Sequence, residues 1–354
     1  MKLLTSTLEQ IEPQDSTSRA AAHARLEQLA MPYWALGRLM DLAEDLAGMT
    51  RSLRPPVLQR TIVTMAGDHG VTAEGISKYP QEVTTQMVHN FVAGGAGINV
   101  LARQANARVV VVDMGVAADL SALAESGKIL SHRIGAGTRN MAQGPAMSRE
   151  EAVQSLEAGI AIALNLASNT DLFATGDMGI GNTTPSSAII AAITGCGVAE
   201  VTGHGTGINE KQLRQKVAVI EKALAVNRPD PSDAIDLLSK VGGYEIGGIA
   251  GLILGAASMK RPVLVDGLIS TAGALIAHSL QSHSTDYAIA AHRSVEQGHC
   301  RALQHLGKEP LLDLNLRLGE GTGAALAMHI VDAAVRVLTE VASFDEAAVS
   351  REDK

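Results

Sequence analysis

Glu320 stands between Gly319 and Gly321, where the apolar, alternating stretch Leu314–Leu318 meets a long helical pattern. A carboxylate set among apolar neighbours and shielded from water holds its proton more tightly than a free one. That property suits a general base working near neutral pH. The competing reading is a solvent-exposed first-turn glutamate favoured by the helix dipole.

Three further segments combine glycines with groups that can do chemistry. Gly176-Asp177-Met178-Gly179-Ile180-Gly181 follows the strand-like run Asp171–Thr175 and precedes the apolar helix Ala188–Ile193. Its glycines permit a sharp turn, and the helix start offers free N–H groups to an anion. A tight strand–helix connection with Asn182 or Thr183 as the cap is equally compatible with the pattern. Gly203-His204-Gly205-Thr206-Gly207 leads into a helix carrying Lys211, Arg214 and Lys216. Loop N–H groups and an ammonium suit a phosphate monoester, whereas a solvated basic face is the plainer alternative. Ala66-Gly67-Asp68-His69-Gly70 is followed by Glu74, Tyr79, Pro80, Gln86 and Met87. Tyr79, Pro80 and Met87 would form a flat apolar slot for an aromatic base, with helix core as the other reading of Met87.

Several function classes are disfavoured. No G-x-x-x-x-G-K-[ST] segment occurs, which argues against a nucleoside triphosphatase. Gly319, Gly321 and Ala324 match the dinucleotide spacing, which makes a nicotinamide-dependent oxidoreductase the rival class. The match lacks its context, because no strand-like run follows that helix. His292 and His299 sit in a polar cluster, HRSVEQGH, without metal-ligand spacing, so neither a metal nor a cofactor is expected. A formal charge of −8 argues against a nucleic acid or an anionic membrane as the main partner. Cys196 and Cys300 are too few and too far apart for a disulfide framework, which points to a reducing cytoplasm. The N-terminal residues lack the sustained apolar run of a signal peptide. The longest apolar run, Ile246–Met259, is shorter than the ~20 residues of a spanning helix and rich in glycine, so a buried helix is expected.

The elements that must position these groups alternate in type. Thr61–Ala66, Arg108–Asp113, Asp171–Thr175 and Pro262–Asp266 read as strands, each running into a glycine-rich turn. Their continuous apolar character predicts a sheet covered on both faces. Helical patterns lie at Gln81–Arg103, Arg149–Ser168, Asn209–Val226, Leu268–Leu280 and Thr322–Glu340. The alternation predicts an α/β fold with a Rossmann-like parallel sheet flanked by helices. Residues 1–55 and 325–354 are expected to form a smaller helical domain, and 56–324 the large domain carrying the site. Asn227–Ser232 reads as a loop and Arg351–Lys354 as a frayed tail.

Taken together and in order, AGDHGV, YPQEVTTQM, GDMGIGNTTPSSAI, GHGTG, GGYEI, VDGLI, HRSVEQGH and LRLGEGTGAA resemble the nicotinate-nucleotide–dimethylbenzimidazole phosphoribosyltransferase family. The resemblance runs from about Met65 to about His329. It implies transfer of the phosphoribosyl group of nicotinate mononucleotide to a benzimidazole-type base, in cobalamin lower-ligand synthesis, by a homodimer. It carries the family's catalytic glutamate to Glu320 and a second acidic position to Asp177, where a glutamate is expected in relatives. It carries phosphate binding to Gly205, Thr206 and Lys216, and substrate binding to the segment of Gly176, Met178 and Gly179. His204 stands where many relatives are expected to have arginine, and Leu268 where the family is often aromatic. Among acceptors, dimethylbenzimidazole, other benzimidazoles, purines and phenols all stay open at this stage.

Overall fold

A computed structural model describes residues 1–350. The expectation for Arg351–Lys354 lies outside the described residues. The strands are β1 (Arg60–Gly67), β2 (Ala107–Gly115), β3 (Leu130–Ser131), β4 (Leu172–Met178), β5 (Val263–Val265), β6 (Ala288–Ala290), β7 (His292–Ser294) and β8 (Leu312–Leu316). The first six form one sheet in the order β3-β2-β1-β4-β5-β6. Every pairing in it is parallel. β7 and β8 make a separate parallel ribbon.

β1 and β4 are buried almost throughout, because helices cover both faces and leave no solvent side for polar residues to occupy. The chain winds outward from β1 in one direction through β2 and β3, and in the other through β4, β5 and β6. The strand order therefore reverses between β1 and β4. The carboxyl ends of strands at such a reversal leave a crevice into which the following turns project. Gly67, Asp177 and Asp266 all lie at this edge.

Helix Tyr244–Ser258 is buried along its length apart from its last residue, as its apolar sequence predicts. It packs backbone to backbone on helix Arg149–Leu166. A Cβ placed on Gly251 would lie 2.0 Å from the Leu156 carbonyl, and one on Gly159 would lie 2.0 Å from the Gly248 carbonyl. Close packing through glycine replaces the aromatic bulk that this chain lacks. Helix Arg149–Leu166 itself starts at a reciprocal cap in which Ser148 takes the Glu151 N–H and the Glu151 carboxylate takes the Ser148 N–H.

The helical pattern expected over Gln81–Arg103 is two helices, Glu82–Ala93 and Gly97–Gln104. Gly94 ends the first in a left-handed conformation, φ +81°, which closes the last turn with a bond from its N–H to the Phe91 carbonyl. The break has a use, since it creates a second helix N-terminus beside the crevice. Helices Ser16–Leu26, Arg38–Thr50 and Thr322–Glu340 pack on one another, and Leu29 bridges Ser343. Helix Lys2–Gln10 packs instead on Arg149–Leu166 and Tyr244–Ser258. Among the described residues, Thr322–Glu340 alone is long and apolar enough to cross a bilayer, but half of that apolar window is buried inside the protein.

The helix contact allows one direct check. Gly251→Ala should destabilise the fold by about 1–3 kcal/mol, since the added methyl must push two backbones apart. A denaturant midpoint equal to that of the parent would show that the helices separate freely.

Candidate active site

The turn Gly319-Glu320-Gly321 lies across the carboxyl ends of β1 and β4. All three residues have positive φ, +83°, +64° and +97°. Thr64 Oγ1 of β1 donates to the Glu320 carbonyl at 3.0 Å, and the Glu320 N–H donates to the Asp177 carbonyl of β4 at 3.2 Å. There is no room for a side chain beneath the turn, since a Cβ on Gly176 would lie 2.4 Å from the Glu320 carbonyl oxygen. The Glu320 side chain is only 5% exposed. Its Oε2 accepts the Ile98 N–H at 3.1 Å. That N–H belongs to the first turn of helix Gly97–Gln104, whose dipole favours the charged form. Burial pushes the Glu320 carboxyl above its ordinary value, opposed by the Ile98 N–H and aided by the charge of Asp266. The structure thus excludes the alternative of an exposed helix-start glutamate.

Asp177 is the second buried carboxyl at this edge. Its Oδ2 accepts from Asn182 Nδ2 at 2.9 Å, while Oδ1 has no partner and faces Gly319. Burial, with the nearby charge of Asp266, raises it to about 8, so it carries a proton at neutral pH. Asn182 occupies the N-cap position of the helix that follows, but its side chain makes no capping bond. Asn182 serves Asp177, and Thr183 Oγ1 accepts from Lys216 Nζ at 2.7 Å. The loop from Gly176 to Thr184 therefore joins the carboxyl pair to the lysine. Helix Glu82–Ala93 braces it from outside, because Thr84 Oγ1 takes the Ile180 N–H at 3.0 Å.

Lys216 is buried, unlike the exposed Lys211 and Arg214 of the same helix. The helix, Glu210–Asn227, buries Lys216, Val219, Ile220, Ala223 and Asn227 along one face. That spacing was available in the sequence as the signal separating this lysine from its neighbours. Nζ also donates to the Gly203 carbonyl at 3.3 Å. Burial lowers the ammonium to about 8, opposed by the charge of Glu296. Gly205 stands beside Nζ with φ +52°, and its N–H donates to Glu296 Oε1 at 2.9 Å. Arg317 Nη1 donates to the Gly205 carbonyl at 3.4 Å, and the Lys78 N–H reaches the exposed Thr206 hydroxyl at 3.4 Å. His204 turns away toward the Ile208 carbonyl and Glu210.

The segment expected from sequence to hold an aromatic base is only partly gathered here. Tyr79 and Pro80 are exposed in the loop that Lys78 ties to Thr206. Gln86 is exposed and Met87 half-buried against the core, both on the helix that braces the Gly176–Thr184 loop. Met178 is half-buried and Gly179 is buried. A Cβ on Gly179 would lie 2.3 Å from the Gly67 carbonyl.

Sequence reasoning gave no role to Asp266, His292, Glu296, Arg317 or the pair His69–Glu245. His69 Nε2 lies 2.8 Å from Glu245 Oε1 in full burial. Burial opposes the imidazolium, yet the charge of Glu245 raises His69 above its usual range. The signal for most of these residues was their presence in the ordered segments AGDHGV, GGYEI, VDGLI and HRSVEQGH. Nothing local indicated which would pair.

This geometry belongs to a chain with close relatives. The sequence model of a family described as phosphoribosyltransferase matches residues 11–349. A nicotinate-nucleotide–dimethylbenzimidazole phosphoribosyltransferase of Syntrophotalea carbinolica is 64% identical over 351 residues, 99% of each chain. Its namesake in Desulfotalea psychrophila is 58% identical over the whole of both chains. The crystal structure of CobT from Thermus thermophilus superposes with a TM-score of 0.91 at 44% identity, covering 95% of this chain and 100% of that one.

The raised Asp177 carboxyl has a signed effect on stability. The unfolded chain loses this proton near the ordinary aspartate value, the folded chain only at about 8. Between those values the native state binds the extra proton, so Asp177 costs increasing stability as pH rises. Asp177→Asn should therefore raise Tm relative to the parent, and by more at pH 8 than at pH 5. A gain that is constant or shrinks with rising pH would mean that Asp177 is ionised in the folded protein.

Proposed function

The chain belongs to the nicotinate-nucleotide–dimethylbenzimidazole phosphoribosyltransferase family, and from that premise we propose that Glu320 is its catalytic base and Lys216 its phosphate anchor. The reaction is transfer of phosphoribosyl from nicotinate mononucleotide to 5,6-dimethylbenzimidazole, giving α-ribazole 5′-phosphate and nicotinate for the cobalamin lower ligand.

The donor's glycosidic nitrogen is part of a pyridinium, so it leaves as a neutral ring and needs no further activation. One benzimidazole nitrogen forms the new bond to C1′ on the face opposite the departing ring, while the C1′–pyridine bond breaks. Inversion at C1′ turns a β-nucleotide into an α-nucleotide. Positive charge grows on the acceptor as it attacks, and its other ring nitrogen releases a proton. Glu320 accepts that proton, and its negative charge favours the cationic transition state. The observation that supports this reading is the Glu320 carboxylate itself, 5% exposed and held by the Ile98 N–H at the strand reversal. Asp177, protonated beside it, acts as a neutral hydrogen-bond donor and not as a second base.

The donor's phosphate is assigned to Gly205, Thr206 and Lys216, where it would displace Glu296 Oε1 from the Gly205 N–H, with Gly176, Met178 and Gly179 lining the ribose side. Tyr79, Pro80, Gln86 and Met87 are assigned to the acceptor base. The remaining chemistry is positioning, which holds both reactants in line across C1′. We further read the protein as a cytoplasmic homodimer, with 1–55 and 325–350 as a small helical domain beside 56–324, onto which helix Lys2–Gln10 packs. Its two cysteines are free thiols, which fits a reducing compartment.

Glu320→Gln should fold and bind nicotinate mononucleotide as the parent does, yet lose about 10²–10⁴-fold in kcat. Mass detection of α-ribazole 5′-phosphate is the readout, and parent-like turnover would remove Glu320 from the role. Lys216→Ala should raise the donor KM more than it lowers kcat. Calorimetry giving unchanged donor binding would move the phosphate elsewhere.

A further inference from the structure

Two of the ordered segments, VDGLI and HRSVEQGH, have no role in the mechanism above, yet they meet directly behind the Glu320 turn. Asp266 follows β5 and is 1% exposed. Its Oδ2 accepts the Gly321 N–H at 3.3 Å, and its Oδ1 accepts the Ala324 N–H at 3.0 Å. One side chain therefore grips both the residue after Glu320 and the first turn of helix Thr322–Glu340. His292, at the start of β7, places Nε2 3.4 Å from Asp266 Oδ1, with its Nδ1 unpartnered in the interior. The imidazole is wedged against the same helix start, since a Cβ on Gly323 would lie 2.0 Å from His292 Cδ2.

We propose that Asp266 and His292 are positioning residues for the base: Asp266 fixes the Gly319–Gly321 turn, and the pair's net charge sets the pH at which Glu320 can accept a proton. The inference rests on Glu320 being that base. Support comes from the charges at the turn. Asp266 acts on both Glu320 and Asp177 to favour their protonated forms. Burial disfavours the His292 imidazolium, but the bond and charge of Asp266 raise it above its usual range. A protonated His292 offsets Asp266 and weakens its influence on Glu320.

The other groups facing this trio come from every side. β4 contributes Asp177, and behind it stand Glu245 and His69. Helix Gly97–Gln104 contributes the Ile98 N–H. The β7 side contributes the backbone of Arg293, whose guanidinium points out to Asp313, and, from helix Gln297–His305, His299 with its ring centre 6.0 Å from that of His292. Burial lowers His299 to about 3, so it stays neutral.

The test is the acid limb of kcat/KM against pH, in the parent and in Asp266→Asn, His292→Asn and Glu320→Gln. Asp266→Asn should lower kcat by about 10²-fold through the loosened turn and move the acid limb down by about one pH unit, because a negative charge is gone. His292→Asn should keep more of kcat and move the limb up, because Asp266 is left unopposed. A purely structural role would admit water in both variants and move both limbs down. The upward shift in His292→Asn is therefore decisive, and an unmoved or lowered limb there overturns the proposal. Should Asp266→Asn fail to fold, His292→Asn alone still decides. Parent-like turnover in Glu320→Gln would instead sink the assignment of the base, independently of where the other limbs fall.

Discussion

The site depends on a backbone constraint before it depends on any side chain. A glutamate with φ +64° is held in a left-handed conformation between two glycines that also have positive φ. A non-glycine residue in that region costs about 1–3 kcal/mol and persists only where its surroundings enforce it. Thr64, the Asp177 backbone and the Asp266 carboxylate are the enforcing contacts, drawn from β1, β4 and the end of β5. The sheet is thus the template for the turn, and the turn aims the carboxylate at the Ile98 N–H in the first turn of helix Gly97–Gln104. Strain and burial act together here, since opening the turn to relieve φ would also rehydrate Glu320 and return it toward the ordinary carboxyl range.

The charge distribution has a direction. Asp68, Asp177, Asp266, Glu245 and Glu320 are all buried around the strand reversal, and the basic side chains set among them are two histidines. Such a cluster of carboxyl groups disfavours anions and favours a centre that carries positive charge. A pyridinium nucleotide whose anomeric carbon grows more cationic as it reacts suits that field. The phosphate of the same molecule does not. Its proposed anchor, Lys216 with the Gly205–Thr206 turn, lies at the far end of the Gly176–Thr184 segment, where the buried lysine has Glu296 as its counter-charge.

Much of this architecture was legible in sequence because it is local. Continuous apolar runs gave β1, β2, β4 and β5 to within a few residues at each end, and the bounds of Leu268–Leu280 and Thr322–Glu340 coincide with the observed helices. The break at Gly94 was missed because the apolar periodicity soon resumes, and only glycines mark the seam. β6 and β7 are three residues each and lack the Val-Leu-Val run that marks the equally short β5. The carboxylate at 320 could be singled out by its glycines, but its supports could not. Asp266 reaches Gly321 across 55 residues of chain, with His292 behind it on another strand, and no local pattern encodes such a meeting. Asp177 was legible as an acidic position. Its protonation was not, because that follows from a burial which only the folded sheet creates.

The Gly176–Thr184 loop explains how two opposite electrostatic tasks coexist within one small volume. Asn182 and Thr183 are adjacent in the chain, yet one donates to a protonated carboxyl and the other accepts from an ammonium. Their fixed order sets the separation between the acidic and basic regions, and Thr84 prevents the loop from lifting. A substrate that is anionic at one end and cationic at the other is then aligned by the field before any contact with the base is made. A mobile loop would let Lys216 approach Glu320 and neutralise it, and would leave the phosphate without its cation. The buried polar bonds of this loop are therefore what keeps the two charges apart, and on the proposed mechanism that separation orients C1′ toward the acceptor.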